Sequence, residues 1–162
     1  MNELMLMLAT VRISTILATC GLTLAMAATG CSAFNSDWKR ASATTATAHD
    51  IDGRWEGSWL SERNGHHGGL RCLVSRLDDR SYRARFKATY WKFLRFSYTV
   101  NLQATKEPSG LFNFQGEANL GWWGGGVYHY DGHATPTNFF STYRSKYDHG
   151  TFRMARPETS AP

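Results

Sequence analysis

The chain alternates apolar and polar residues over short stretches, the pattern of β-strands with one buried face and one solvated face. In residues 82–90 the aromatic and alanine side chains share one face, and the arginine, lysine and threonine side chains share the other. Residues 112–120 repeat this alternation, with amides and a glutamate on the polar face. No window keeps the 3.6-residue period of a helix for long. The body of the chain is therefore predicted to be all-β.

Eight such segments follow residue 52, and short turns rich in Asp, Asn, Gly and Pro separate them. Hairpin-length connections predict an antiparallel up-and-down sheet, and closure into a barrel removes its exposed edges. We therefore predict a small eight-stranded antiparallel up-and-down barrel, with a β-sandwich as the alternative fold. The predicted strands are 53–61, 69–77, 81–90, 93–104, 111–120, 126–135, 138–145 and 150–156.

The inward-facing positions of these strands carry many aromatic residues, interleaved with glycine and alanine. An eight-stranded barrel has room for side chains or for one small ligand. The small residues could either seat the rings or leave a pocket between them. Because protein interiors are close-packed by default, a filled core is the preferred prediction, and an open pocket is the alternative.

The first strand opens with the motif Gly53-Arg54-Trp55. This motif resembles the G-x-W opening of lipocalin-like and related calycin barrels, which favours the barrel over the sandwich. In that superfamily a late arginine packs over the tryptophan, and the resemblance gives this structural role to Arg156. The wider set of G-x-W-x-G, G-H-H-G and D-H-G-x-F resembles small bacterial lipoproteins and implies no particular activity.

The N-terminal part of the chain has a different pattern, because residues 13–28 form an uncharged apolar stretch after Arg12. Such a stretch fits the hydrophobic region of a secretion signal and is short for a membrane span. It ends in Ala28-Thr29-Gly30-Cys31, which resembles the lipobox of bacterial lipoproteins. The resemblance implies that Cys31 is acylated and anchors the protein to membrane lipid.

The expected location follows from this resemblance. Ser32 matches the sorting rule for lipoproteins of the outer membrane, so the expected place is the cell envelope, at the outer membrane facing the periplasm. Cleavage after Ala25-Met26-Ala27 is the alternative, and it would release a soluble secreted protein. The predicted organisation is a signal peptide at 1–30, a lipidated cysteine and flexible Ser/Thr/Ala linker at 31–50, a barrel at 51–157 and a disordered tail at 158–162.

The chain is basic, with a formal net charge of +5 and a pI near 9.3. Nucleic acid is the usual partner of a basic chain, but an extracytoplasmic address argues against it. Anionic lipid headgroups or envelope polymers are the expected acidic surfaces. Cys72 alternates with Leu70 and Val74, which predicts a buried small hydrophobe and not a reactive thiol.

In an up-and-down barrel, the connections after strands one, three, five and seven emerge at the same end. In this chain they contain histidines and glycine-flanked tryptophans. Aromatic rings offer flat apolar area and histidines orient polar groups, so this end is predicted to bind a small molecule, a glycan or an envelope protein. The alternative is that Trp122 and Trp123 fold back as a plug. The candidate ligand-binding residues are His66, His67, Trp91, Trp122, Trp123, Tyr147 and His149.

Two histidine sets are candidates for a metal site, since imidazole and carboxylate ligands suit zinc. The first combines His66 and His149 with Asp148, and the second places His129 and His133 on the outward phase of one strand. The sequence contains no nucleophile–base motif, paired carboxylates, nucleotide loop or haem motif. Non-enzymatic binding without a cofactor is therefore the preferred function. A metal-dependent enzyme and a purely structural envelope protein are the alternatives.

Overall fold

The computed structural model describes residues 33–41, 49–91, 94–122 and 124–157. Its main body consists of eight β-strands, whose ends differ from the predicted ends by at most two residues. The strands are β1 (Gly53–Ser61), β2 (His67–Arg76), β3 (Ser81–Tyr90), β4 (Leu94–Lys106), β5 (Phe112–Asn119), β6 (Val127–Ala134), β7 (Asn138–Arg144) and β8 (His149–Ala155).

The strands form one closed barrel in which each strand pairs with its neighbours in chain order. Every pairing is antiparallel, and β8 closes the barrel by pairing with β1, with Trp59 opposite Phe152. The predicted all-β, eight-stranded up-and-down barrel is therefore confirmed, and the sandwich alternative is not adopted. Closure gives both edge strands a partner, which satisfies backbone groups that an open sheet would expose.

One end of the barrel, which we call the closed end, is filled by side chains. Trp55 is fully buried there, packs against Phe139 at a ring distance of 5.5 Å, and donates its indole N–H to the carbonyl of Ile51 at 2.9 Å. Phe114 stacks on Phe139 at 4.7 Å, and this end closes as a packed aromatic core. Cys72 is also fully buried, as predicted, and burial raises the pKa of its thiol well above the ordinary value.

Arg156 covers the closed end. Its guanidinium lies 3.9 Å from the centroid of the Trp55 ring, the arrangement that the calycin resemblance implies. The same group donates to the carbonyls of Pro136 at 2.9 Å, Asp52 at 2.6 Å and Asp50 at 3.0 Å. One side chain thus ties the entry to β1, the β6–β7 turn and the end of β8 together.

The seam between β1 and β8 depends on a glycine. A Cβ atom at Gly57 would lie 2.0 Å from the carbonyl oxygen of Arg153 and 2.7 Å from the Cα of Met154. Both of these atoms belong to the backbone of β8, so they cannot turn away as a flexible side chain would. The close approach of the two strands therefore requires the absence of a side chain at residue 57.

Residues 33–41 form a helix, in the region where the composition predicted a flexible linker. The prediction is wrong for these residues. Phe34 and Trp38 are four residues apart, and their rings stack at a centroid distance of 5.8 Å, a spacing that stabilises helices. Cys31 and the predicted signal, the rest of that linker at 42–48, and the tail at 158–162 lie outside the described residues.

Candidate functional site

The other end of the barrel, which we call the open end, contains a cavity of about 790 Å³. It lies between the strand ends that lead into the β1–β2, β3–β4, β5–β6 and β7–β8 connections. The preferred prediction of a filled interior is therefore correct only for the closed end. The lining of the open-end cavity includes Trp59, Ala88, Tyr90, Phe96, Tyr98, Asn119, Leu120, Gly124, Tyr128, Tyr130, Tyr143, Asp148 and Phe152.

The aromatic walls of the cavity follow from the alternation of the strands. Tyr128 and Tyr130 occupy successive inward positions of β6, with their rings 6.4 Å apart. Phe96 and Tyr98 do the same on β4, with centroids 5.9 Å apart, and Tyr98 also stacks with Tyr130 at 6.4 Å. Ala88 lies opposite Phe96 in the β3–β4 pair, where its small side chain leaves space that a larger residue would fill.

The carboxylate of Asp148 lies on the cavity wall and is held by three donors. The Ser61 hydroxyl donates to Oδ1 at 2.6 Å, and the backbone N–H of His149 donates to the same oxygen at 2.9 Å. The Tyr143 hydroxyl donates to Oδ2 at 3.2 Å. Ser61 is only 1% exposed, so this network fixes the carboxylate from the buried side.

Burial raises the pKa of the phenols around the cavity. For Tyr98, Tyr130 and Tyr143 the largest cause is desolvation, and the charge of Asp148 raises the pKa of Tyr143 further. Tyr82 lies towards the closed end, and its pKa is raised by burial and by its 2.9 Å hydrogen bond to Asp50. These side chains therefore remain neutral hydroxyls over the physiological pH range.

We expect the free energy of unfolding to fall as the pH rises above about 10, where the phenols of an unfolded chain lose their protons. The four phenols with a raised pKa, Tyr82, Tyr98, Tyr130 and Tyr143, keep theirs in the folded state. Their stabilisation is fully present below that pH and is lost as the pH rises towards their folded-state pKa, by up to about 1.4 kcal/mol per pH unit for each group. Urea unfolding at pH 9, 10 and 11 (about one unit apart) measures the slope.

The matched control for this titration is Tyr130→Phe, which removes one raised phenol and keeps its ring. Its stability should fall less steeply with pH than that of the wild type. Phenolate absorbance provides the independent readout. Titration of all seven tyrosines in one step near the ordinary pKa, with no change in the urea midpoint, would contradict the expectation.

A second cavity of about 530 Å³ lies beside the first, and Tyr90 lines both. His66, His67 and Trp91 from the predicted binding set line this second cavity. The Tyr90 hydroxyl and His66 Nδ1 are 2.7 Å apart, and Trp91 stacks on Tyr90 at 5.9 Å. Trp91 has a φ angle of 47°, in the left-handed region that a bulky residue rarely adopts.

The other predicted binding residues that the structure describes, Trp122, Tyr147 and His149, line neither cavity. Trp122 is 78% exposed in the β5–β6 connection, and Trp123 lies outside the described residues. The Tyr147 ring lies below the Lys146 ammonium at 5.5 Å, and its carbonyl accepts a hydrogen bond from Arg63. His149 begins β8 and is exposed. Trp122, Tyr147 and His149 therefore lie in or beside the connections of the open end, and the role of all four residues in binding stays a prediction.

The two histidine sets considered for metal do not assemble. Across the ranges that the structure describes, no group of three or more His, Cys, Asp or Glu side chains is arranged to hold an ion. His129 pairs with Glu117 at 3.2 Å on the outer surface, and His133 packs against the ring of Phe140. Asp148, the carboxylate of the first set, is bound instead by Ser61 and Tyr143.

The sequence analysis did not predict that the residues lining the main cavity form a site. Most of them were predicted to face inward, but as parts of a filled core. The available signal was the set of small residues at inward positions beside the open end, above all Ala88, which faces the large residue Phe96 across a strand pair.

No family model, curated protein or solved structure matches this chain. Within the described ranges, no helix has the length and apolar character needed to cross a membrane.

Proposed function

We propose that this protein is a lipid-anchored binding protein of the bacterial cell envelope, whose barrel takes up a small molecule at its open end. The observation that carries the binding function is the cavity of about 790 Å³, lined by aromatic rings from several strands. Its volume falls within the range of small-molecule sites, and one small ligand is what an eight-stranded barrel can hold.

The composition of the cavity supports binding over a purely structural role. Its walls are mostly apolar, and a few polar atoms, among them the Asp148 carboxylate, are held in fixed positions. That combination provides affinity through apolar burial and orientation through a small number of hydrogen bonds. A barrel without a ligand role gains more stability from packed side chains than from an open space.

The anchor belongs to the proposal on the strength of the lipobox resemblance at Ala28-Thr29-Gly30-Cys31 and the apolar stretch before it. Two or more acyl chains at Cys31 would give stable attachment to a bilayer. The chain enters β1 at the closed end, so a tether from Cys31 would join the barrel opposite the cavity. The open end would then face the aqueous compartment, with Ser32 favouring the outer membrane as the attachment site.

Native mass spectrometry of the full chain, extracted from the membranes of a bacterium that expresses it, tests both parts. We expect the mass of a chain that begins at an acylated Cys31, together with a retained non-covalent ligand. Ala88→Trp places an indole in the cavity and should abolish ligand retention while leaving the acylation intact. Leu60→Trp is the matched control, because Leu60 is 42% exposed and does not line the cavity.

The outcomes separate the two parts of the proposal. An unmodified Cys31 would overturn the anchor and leave the binding function standing. Equal ligand retention by the wild type and by Ala88→Trp, or no retained ligand in either, would overturn binding in the cavity. Thermal unfolding of each variant shows whether a loss of ligand reflects a loss of the fold.

A further inference from the structure

We propose that the open-end cavity selects an organic cation, meaning a protonated or quaternary amine attached to an apolar group. This inference rests on the proposed binding function and names the ligand class of the same site. The observations that carry it are the aromatic walls, the single formal charge among the described wall residues, and the Tyr143 hydroxyl, whose proton is directed to that charge.

Eight aromatic rings surround the cavity, and they come from six of the eight strands. The face of an aromatic ring carries negative potential, so a cation beside several rings is attracted by each of them. This attraction is strongest in sites shielded from water. The contributing residues are Trp59, Tyr90, Phe96, Tyr98, Tyr128, Tyr130, Tyr143 and Phe152.

The described residues of the cavity wall carry formal charge of one sign only. Among the described residues that line it, Asp148 carries the only formal charge, and no lysine, arginine or histidine accompanies it. The described ion pairs of the barrel do not include Asp148, so its charge is not neutralised within that part of the chain. An anionic ligand would meet this carboxylate without a cationic partner, whereas a cationic ligand would find a counter-charge.

The Tyr143 hydroxyl adds an acceptor to the site. The Tyr143 proton is directed to Asp148 Oδ2 at 3.2 Å and to the carbonyl of Leu60 at 3.4 Å. The Tyr90 hydroxyl lies 2.7 Å from His66 Nδ1. A phenol whose proton is engaged offers its oxygen lone pairs to a ligand, which suits an ammonium donor.

The charge on the cavity wall and the net charge of the whole chain predict opposite preferences for the charge of a ligand. The chain has a net charge of +5, which alone would favour anions. The local arrangement around Asp148 favours cations, because a nearby charge in a partly buried site outweighs distant surface charges that salt screens. The rank order of charged probes therefore decides between a site-specific and a general electrostatic effect.

The test compares three probes of similar size by isothermal titration calorimetry on the full chain in lipid nanodiscs, with titrations into empty discs subtracted. The three probes are the cation benzyltrimethylammonium, its uncharged isostere neopentylbenzene, and the anion benzenesulfonate. We expect the cation to bind roughly tenfold or more tightly than the isostere, as cation–π attraction and one carboxylate allow. Benzenesulfonate should bind most weakly of the three.

Asp148→Asn removes the charge and keeps an acceptor for Ser61, so the preference for the cation over the isostere should largely disappear. Asp131→Asn is the matched control, since it removes the same charge from the exposed outer face of β6 and should keep the preference. Tyr128→Leu replaces a cavity ring by an aliphatic group and should weaken the cation more than the isostere.

Several outcomes would overturn the inference. Equal binding of the isostere and the cation, tighter binding of benzenesulfonate, or an unchanged preference in Asp148→Asn would each do so, and the first two would leave the proposed binding function intact. Absence of binding by all three probes would count against both. The comparison of the three probes on the wild-type chain stands even if Asp148→Asn fails to fold.

Discussion

Gly57→Ala is expected to lower the free energy of unfolding by about 3 kcal/mol, the upper range for forcing an atom into a packed site. A Cβ atom at this position would lie 2.0 Å from the carbonyl oxygen of Arg153, far inside van der Waals contact. Relief requires β1 and β8 to move apart, which weakens the hydrogen-bonded pairing that closes the barrel. Urea unfolding monitored by circular dichroism measures the change.

Gly69→Ala is the matched control for this substitution. Gly69 also lies in a strand, but a Cβ atom there would have no heavy atom within 4 Å. An alanine at this position removes conformational freedom from the unfolded chain, so the stability should change by less than about 1 kcal/mol. Equal effects of the two substitutions would show that the loss comes from glycine replacement in general and not from the seam.

Arg156→Ala is expected to destabilise the barrel by about 3 kcal/mol, because it removes several charge-assisted hydrogen bonds from a half-buried guanidinium and leaves its carbonyl partners unpaired. The guanidinium donates to carbonyls from both sides of the closed end and covers Trp55. The buried Oδ1 of Asp52 has no hydrogen-bond partner in the described part of the chain. Its Coulombic interaction with Arg156 would also be lost, which adds to the destabilisation.

Arg156→Lys separates charge from geometry. A lysine keeps the positive charge but cannot reproduce the planar fork that reaches several carbonyls at once, so most of the loss should remain. Arg153→Ala is the surface control, three residues earlier on the outer face of β8, where the guanidinium lies over Phe140 at 4.8 Å. Its effect should stay near 0.5 kcal/mol, typical of an exposed cation–π contact. Full stability in Arg156→Lys would contradict the proposed importance of the fork.

Local patterns in the sequence were sufficient for the barrel. Strand alternation and turn composition depend on residues close together in the chain, and an up-and-down barrel pairs each strand with its neighbour in chain order. The helix at 33–41 was missed because its signal is a single aromatic pair, Phe34 and Trp38, within a Ser/Thr/Ala-rich stretch.

The candidate site was harder to predict for a physical reason. His66, His67 and Trp91 are unusual in sequence, yet they line a smaller cavity beside the barrel. Tyr128 and Tyr130 look like ordinary core residues, yet they line the main cavity. Whether an inward ring fills the interior or leaves space beside it depends on the side chains that face it across the barrel, and these come from distant parts of the chain.

The sequence by itself determined the strands, their order, the glycine–tryptophan opening of β1 and the inward direction of the aromatic side chains of β3, β5 and β6, because each depends on neighbours in the chain. Only the tertiary structure decided that the closed end is packed around Trp55 while the open end is hollow. It also decided that Asp148 meets Ser61, 87 residues away in the chain. Packing and charge pairing are set by closure of the barrel, which brings together residues that no local pattern connects.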